Sequence, residues 1–391
     1  MATLSPPTGH RALVGVLAGT MLVDSLEIVL MGVALPSIRA EFGLSAASAV
    51  WALAAFPLGF GLALVPGRRL GHRAVYLTAL AVFGAAAVVA GSTDELAVLV
   101  AAEFVKGCCA ALTAPAGIAV IASTFREGEA RRRAMLVYSL CGTVGATAGM
   151  LVAGVLCGGD WRWAVLLPVP VVLVLFGLGL RHLPKGALVR SVPRLPRTAA
   201  LLRAAVGAAS LNGVSVGLFV VVNLQLQNDL GRPAWLSAVV CAPAYATLAL
   251  SVLLAGRWVA RHGAPRLVAA GAVAAATGCV LYLALPGPGD HGLGVLAATV
   301  PIGLAYLCSF AALNAGAAAG LPESRRPGAG LVLQTAVQFG GVLTVVPAGA
   351  LLTAYDDVRT ALLPIAAAAV AGLAAALAGL RARRPTPKGI A

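Results

Sequence analysis

The sequence predicts an all-α membrane protein: twelve transmembrane helices in two pseudo-symmetric six-helix bundles. Three observations carry that prediction. Of 391 residues, 60% are apolar and only 11% charged, whereas soluble domains carry about 25% charged residues. Apolar runs close to the ~20 residues that a hydrocarbon core demands recur along the whole chain. The basic residues concentrate on alternate connections between those runs. A chain this apolar has too little polar surface to coat a soluble globule, so the bilayer is its solvent. The net charge of +14 would point to nucleic acid on a soluble protein. Here it reads as membrane topology, and no nucleic-acid partner is expected.

The spans follow in order, each bounded by its charges. Arg11 precedes span 1 (12–36), and Arg39 and Glu41 follow it outside. Span 2 (47–66) leads inside to Arg68, Arg69 and Arg73. Span 3 (74–92) leads out to Asp94 and Glu95, and span 4 (95–122) returns to Arg126 and Arg131, Arg132, Arg133. Span 5 (134–156) leads out to Asp160 and Arg162. Span 6 (163–180) returns to Arg181, Lys185, Arg190, Arg194, Arg197 and Arg203. In the second half, span 7 (201–224) leads out to Asp229 and Arg232, and span 8 (235–256) returns to Arg257, Arg261 and Arg266. Span 9 (267–285) leads out to Asp290, and span 10 (292–319) returns to Arg325 and Arg326. Span 11 (329–354) leads out to Asp356, Asp357 and Arg359, and span 12 (360–380) ends before Arg381, Arg383, Arg384 and Lys388. Of the 28 basic residues, 23 thus fall inside. This is the positive-inside pattern, and a miscounted helix would scramble it. Both termini are expected in the cytoplasm, with the plasma membrane as the location.

The runs are far too long for barrel strands, which alternate over about ten residues. Span 1 is expected to be retained rather than cleaved, because Asp24 and Glu27 interrupt any signal-peptide apolar region. The longest inside connection, 181–200, is basic and Pro-interrupted and lacks apolar periodicity. It divides the chain into an N-terminal bundle (1–180), a linker (181–200) and a C-terminal bundle (201–391). A Gly/Arg turn between the second and third span of each half supports a repeat: Pro66–Arg73, and Gly256-Arg257 through Arg266. Parallel repeats of this kind occur in secondary transporters.

Only Asp24, Glu27, Glu103 and Lys106 place formal charge within the spans away from their ends. Each costs at least about 2.5 kcal/mol at a helix centre, so each demands a partner, a watered cavity or a proton role. Asp24 and Glu27 share a face at i,i+3, as do Glu103 and Lys106. With span 1 ending at Pro36 and span 4 starting at Glu95, a rise of ~1.5 Å per residue levels Glu27 with Glu103 and Asp24 with Lys106. The expectation is therefore a Glu27–Glu103 approach with Lys106 beside Asp24. Neutral polar groups fill the second half: Asn212, Ser215, Asn223, Gln225 and Gln227 on and after span 7, Tyr306, Ser309 and Asn314 on span 10, Gln334, Thr335 and Gln338 on span 11. Amides and hydroxyls read polar ligands by hydrogen bonds, or glue helices together. Gly142, Gly145, Gly149 and Gly154 line one stretch of span 5 as close packing or a gating hinge. The seven cysteines read as small apolar packers. No Walker motif, metal-ligand spacing or Ser/His/Asp arrangement occurs, and no cofactor is expected. Arg131–Arg133 and the C-terminal bases are expected to touch anionic lipid.

These residues resemble the major facilitator superfamily, in particular its drug:proton antiporter branches. Leu26-Glu27 through Ala34-Leu35-Pro36 is similar to the Leu-Asp…Ala-Leu-Pro motif. Trp51 and Phe56 stand at the aromatic positions of span 2. Ala101-Ala102-Glu103…Lys106-Gly107…Ala114-Pro115-Ala116 follows Ala-Ala-Arg…Gln-Gly…Ala-Pro-Ala. Gly142…Gly145…Gly149-Met150…Gly154 is similar to the antiporter glycine motif. Asp160–Trp163 and Gly330–Gly341 also fit. The departures are a shortened first inside loop without its Asp, Ala260 at the acid position of the second copy, Glu103 for Arg, Met150 for Pro and Val337 for Arg. The resemblance implies that spans 1 and 4 line a central cavity, and that Arg257 belongs to a gate whose lost acids disfavour the outward-facing state. It implies a monomeric, proton-coupled exporter of a small organic molecule, a drug or natural product, working by alternating access. The alternative is a non-transporting protein on the same fold, acting as a carboxylate acid/base enzyme or a ligand-binding scaffold.

Overall fold

A computed structural model describes residues 8–67, 70, 72–185, 195, 197–284 and 291–382. Twelve helices there are long and apolar enough to cross a membrane. They are α1 Thr8–Glu41, α2 Ala46–Gly67, α3 Arg73–Ser92, α4 Leu96–Thr124, α5 Glu129–Leu156 and α6 Trp161–His182, followed by α7 Ala199–Leu224, α8 Ala234–His262, α9 Ala264–Leu283, α10 His291–Ala318, α11 Arg326–Tyr355 and α12 Val358–Arg381. The linker drawn at 181–200 lies largely outside the described residues. So does most of the first Gly/Arg loop.

Proline explains where several helices depart from their sequence-drawn limits. α1 runs on past Pro36 to Glu41, since neighbouring helices and local adjustment tolerate a proline within a membrane helix. α6 breaks at Leu167, where Pro168 opens its second segment with no N–H to donate. α12 breaks in the same place, after Val358–Ala361, with Pro364 in its first turn. α7 ends in a π-helical turn, Gln225–Asp229.

The packing obeys a two-fold rule. In the first half α1 packs on α5, α2 and α3 on α4, and α6 on α1 and α3. In the second half α7 packs on α11, α8 and α9 on α10, and α12 on α7 and α9. Each pair maps onto its equivalent six helices later. The contacts between halves obey the same rule: α2 lies along α11, and α8 lies along α5. Even the caps repeat. Asp160 accepts the Arg162 N–H at 2.9 Å to start α6, and Asp357 accepts the Arg359 and Thr360 N–H groups at 3.1 and 3.0 Å to start α12. The Thr360 hydroxyl, with these backbone bonds, holds the exposed Asp357 carboxyl below its usual range.

The two ends of the bundle differ. One large apolar core runs along the whole second half, to Leu201, Leu321 and Ala329, and takes in the first half at the end where α1 finishes. There Gln227 donates to the Val33 carbonyl at 3.3 Å, and the Ala47 N–H donates to Thr353 at 2.8 Å. We call this the distal end. At the opposite, proximal end, where α1 begins, a second core belongs to the first half, with Leu331 of α11 as its contribution from the other half. The halves are thus closed together at the distal end.

The α5 glycines are contact points. A Cβ on Gly142 would meet Met21 and Ser25, on Gly145 it would lie 2.6 Å from the Leu22 carbonyl, and on Gly149 2.8 Å from Leu26. Gly154 meets α8 at Trp235 and Ala238 instead. The four therefore seat α5 against α1 and across the half boundary. Gly145→Val is expected to destabilise by about 1–3 kcal/mol, the range for overpacking. Gly177→Ala in α6, where nothing lies within 4 Å, is expected to raise stability slightly through helix propensity. Thermal unfolding in detergent compares the two. A Gly145→Val protein as stable as the parent would show that α1 and α5 are not held at this distance.

Candidate functional site

The four intramembrane charges lie together inside the first half. Asp24 is 6% exposed, Glu27 1%, and Glu103 and Lys106 0%. Lys106 sits between the two glutamates. Its ammonium donates to Glu27 Oε1 and lies 2.6 Å from Glu103 Oε1, with the Phe83 ring of α3 5.9 Å away. Glu27 Oε2 and Glu103 Oε2 are buried with no hydrogen-bond partner among the described residues. Asp24 stands apart from the ammonium and accepts from the Thr113 hydroxyl at 3.3 Å.

This corrects two expectations. Lys106 does not pair with Asp24; it joins Glu27 and Glu103, so the two glutamates do converge, on one ammonium. The depth count started from Pro36, whereas α1 continues to Glu41. Measured from Glu41, Asp24 lies ~25 Å down, level with Thr113 at the same depth from Leu96, using ~1.5 Å per residue. The long Lys106 side chain covers the remaining offset to Glu27. The charges also do not line an open cavity. They meet between α1 and α4, with α3 alongside, and each is more than nine-tenths buried.

The neutral candidates separate into several places. Asn212 donates to the Val337 carbonyl at 2.8 Å and accepts from the Tyr306 hydroxyl at 3.0 Å, tying α7 to α10 and α11. Ser215 donates back to Leu211 at 2.8 Å. Ser215 and Tyr306 border a cavity of about 20 Å³ with Phe219, Cys241, Tyr245 and Thr299. That is room for about one water, far below the several hundred Å³ of a drug-sized site. Ser309 packs under Gly271 and borders a different cavity, against α9 and α12. Asn314 is exposed and bonds its own helix at Phe310. Gln338 is buried and Gln334 half-buried on α11, beside a Thr335 hydroxyl that is buried without a hydrogen-bond partner among the described residues. Arg257 is exposed at the proximal end of α8, and no ion pair reaches it among the described residues.

A distal cluster escaped the sequence reading. Arg162 bridges Glu41 and Asp94, both at 2.6 Å, and stacks on Trp161 at 4.8 Å; the Trp161 indole donates to Glu41 at 2.5 Å. It fastens the end of α1 to the α3–α4 and α5–α6 connections. The available signal was one arginine set among outside acids.

The profile of the Major Facilitator Superfamily matches residues 17–341. The chain belongs to the major facilitator superfamily. Among relatives of this superfamily member, the MFS-type transporter EfpA of Mycobacterium tuberculosis is 31% identical over 219 residues. That match covers 55% of this chain, which spans 41% of the length of EfpA. The multidrug efflux pump LfrA of Mycolicibacterium smegmatis is 26% identical, covering 98% of this chain and 91% of the pump. In structure, a bacterial homologue of the human lysosomal transporter Spinster, solved in an inward-facing and occupied conformation, aligns with a TM-score of 0.76 at 18% identity. The match covers 98% of this chain and 99% of that one, and it shows the fold.

Proposed function

We propose that this superfamily member is a proton-coupled exporter of small organic molecules, working by alternating access of its two halves in the plasma membrane. The observation that carries the reading is the Glu27–Lys106–Glu103 cluster. One ammonium offsets one of two buried carboxylate charges, and Glu27 Oε2 and Glu103 Oε2 have neither a hydrogen-bond nor an ion-pair partner among the described residues. A proton on the pair completes the neutralisation that burial requires. The residues at 1–180 and 201–391 are the moving units and 181–200 their linker, with Arg257 at the proximal gate. Substrate contacts fall to the Asn212–Tyr306 group with Ser215, and to Gln334 and Gln338 of α11; Ser309 and Asn314, which the structure sets apart, serve packing. The chain works as a monomer, with Arg131–Arg133 against anionic lipid. Closure at the distal end makes this an inward-facing state if the proximal end is cytoplasmic.

The multidrug efflux pump among its relatives favours transport over an acid/base enzyme. Reconstituted into vesicles under an imposed pH gradient, the protein is expected to move the fluorescent organic cation ethidium against a concentration gradient, with proton counterflow. Chemical conversion of a ligand without proton flux would support the enzyme reading instead. For orientation, Arg190→Cys and Pro385→Cys in a cysteine-free background are expected to react with impermeant maleimide from the cytoplasmic side. Labelling of either from outside alone overturns the assigned topology.

A further inference from the structure

Asp24 is a buried acid that the cluster does not use. It lies one helical turn proximal to Glu27 on the same face, with Cβ atoms about 5–6 Å apart by helix geometry. No described ion pair reaches it; the ammonium is committed to Glu27 and Glu103. Its surroundings are polar in one direction only. Proximally stand Thr113 of α4, which donates to Asp24, then Tyr76 of α3, which donates to Thr20 at 2.9 Å, then Thr20, which donates to Val16 at 3.0 Å. Tyr138 of α5 lies on the same side and donates to Ala114 at 2.8 Å. All four are buried. On the distal side of Glu27 the buried residues are Leu30, Met31, Ala34 and Leu35 of α1, with Leu99 and Ala102 of α4. The cluster is therefore sealed by apolar side chains distally and continued by hydroxyls and a carboxyl proximally.

We propose that Asp24 is the group through which the Glu27–Lys106–Glu103 cluster exchanges protons with the proximal end. The inference rests on the proposed proton on that cluster. In the transfer, the O–H bond of the Asp24 carboxylic acid breaks and an O–H bond forms on the Glu27 carboxylate. The electron pair stays on Asp24, so the negative charge moves one turn proximally, and hydronium from the proximal solvent restores the acid. The other ionisable groups around Asp24 are Glu27 on its own helix, Glu103, Lys106 and Cys109 on α4, Tyr76 on α3 and Tyr138 on α5. α2 has none, and α6 has none in its apolar interior. Asp24 is thus the sole carboxyl between the cluster and the proximal end among the described membrane residues.

The test follows growth of the protonated-carboxyl infrared band of the purified full chain after a rapid shift from alkaline to acidic buffer. Glu27→Gln and Glu103→Gln identify the component that belongs to the cluster. Asp24→Asn is expected to keep that component but to slow its growth about a hundredfold, the low end of what a positioned proton-transfer group contributes. Asp24→Glu is expected to restore the rate. Thr113→Val keeps the acid and removes its donor, so it is expected to change the rate even if Asp24→Asn does not fold. A cluster component that grows at the parental rate in Asp24→Asn, or in Thr113→Val where the Asn variant does not fold, overturns the relay alone. Spectra unchanged by both Gln substitutions overturn the cluster's proton, and the relay with it.

Discussion

Lys106→Met is expected to cost about 3–5 kcal/mol of stability, the loss found when one partner of a buried ion pair is removed. The side chain keeps its length and apolar stem, so packing is nearly unchanged. What is lost is the ammonium between Glu27 and Glu103, neither of which reaches solvent. Both carboxylates are then left facing each other without a cation. The remedy distinguishes charge from shape. Adding Glu27→Gln and Glu103→Gln to Lys106→Met removes every charge of the trio, and the triple variant is expected to return to parental stability or above it, because a neutral set avoids the desolvation cost. Unfolding midpoints in detergent report both. A Lys106→Met loss below about 1 kcal/mol, the value of a solvent-exposed pair, would mean that the ammonium is not holding the glutamates.

Glu27→Gln is expected to abolish proton-coupled ethidium movement in vesicles while the protein stays folded. The amide preserves the side-chain shape and accepts from Lys106 through its oxygen, but it carries no proton to exchange. Glu103→Gln is expected to do the same, since the two carboxylates share one ammonium and one missing charge. The sharp reading is the pH dependence of ethidium binding. Wild type should change affinity across the titration range, whereas both Gln variants should give flat curves. Three identical curves would leave the trio with a structural role only.

The architecture was legible because it depends on properties that sum over many residues. Twelve apolar runs and the segregation of arginines survive any one wrong residue, and each span finds its helix, though α1, α5 and α8 run beyond the drawn limits. Pro36 was read as a stop and is not one, while Pro168 and Pro364 do interrupt their spans. The site was legible only as a set of residues. The four charges were named, and their burial together follows from the cost of isolated charge in hydrocarbon. Their pairing was not, because it turned on five residues of helix beyond Pro36 and on the reach of one lysine. The second-half candidates share no such penalty. A lone Asn or Ser in a membrane helix can bond its own backbone, as Ser215 and Asn314 do, so polarity alone did not place them in one site.

The two-fold packing conceals an electrical asymmetry. The second half repeats the helices of the first, yet its membrane interior contains no Asp, Glu, Lys or Arg. A transmembrane voltage exerts force only on charge, about 2.3 kcal/mol per elementary charge per 100 mV. Rocking the interior of the second half through the field therefore does little electrical work, and any voltage sensitivity of the cycle belongs to the first half, to Asp24 and to the proton proposed for the Glu27–Lys106–Glu103 cluster.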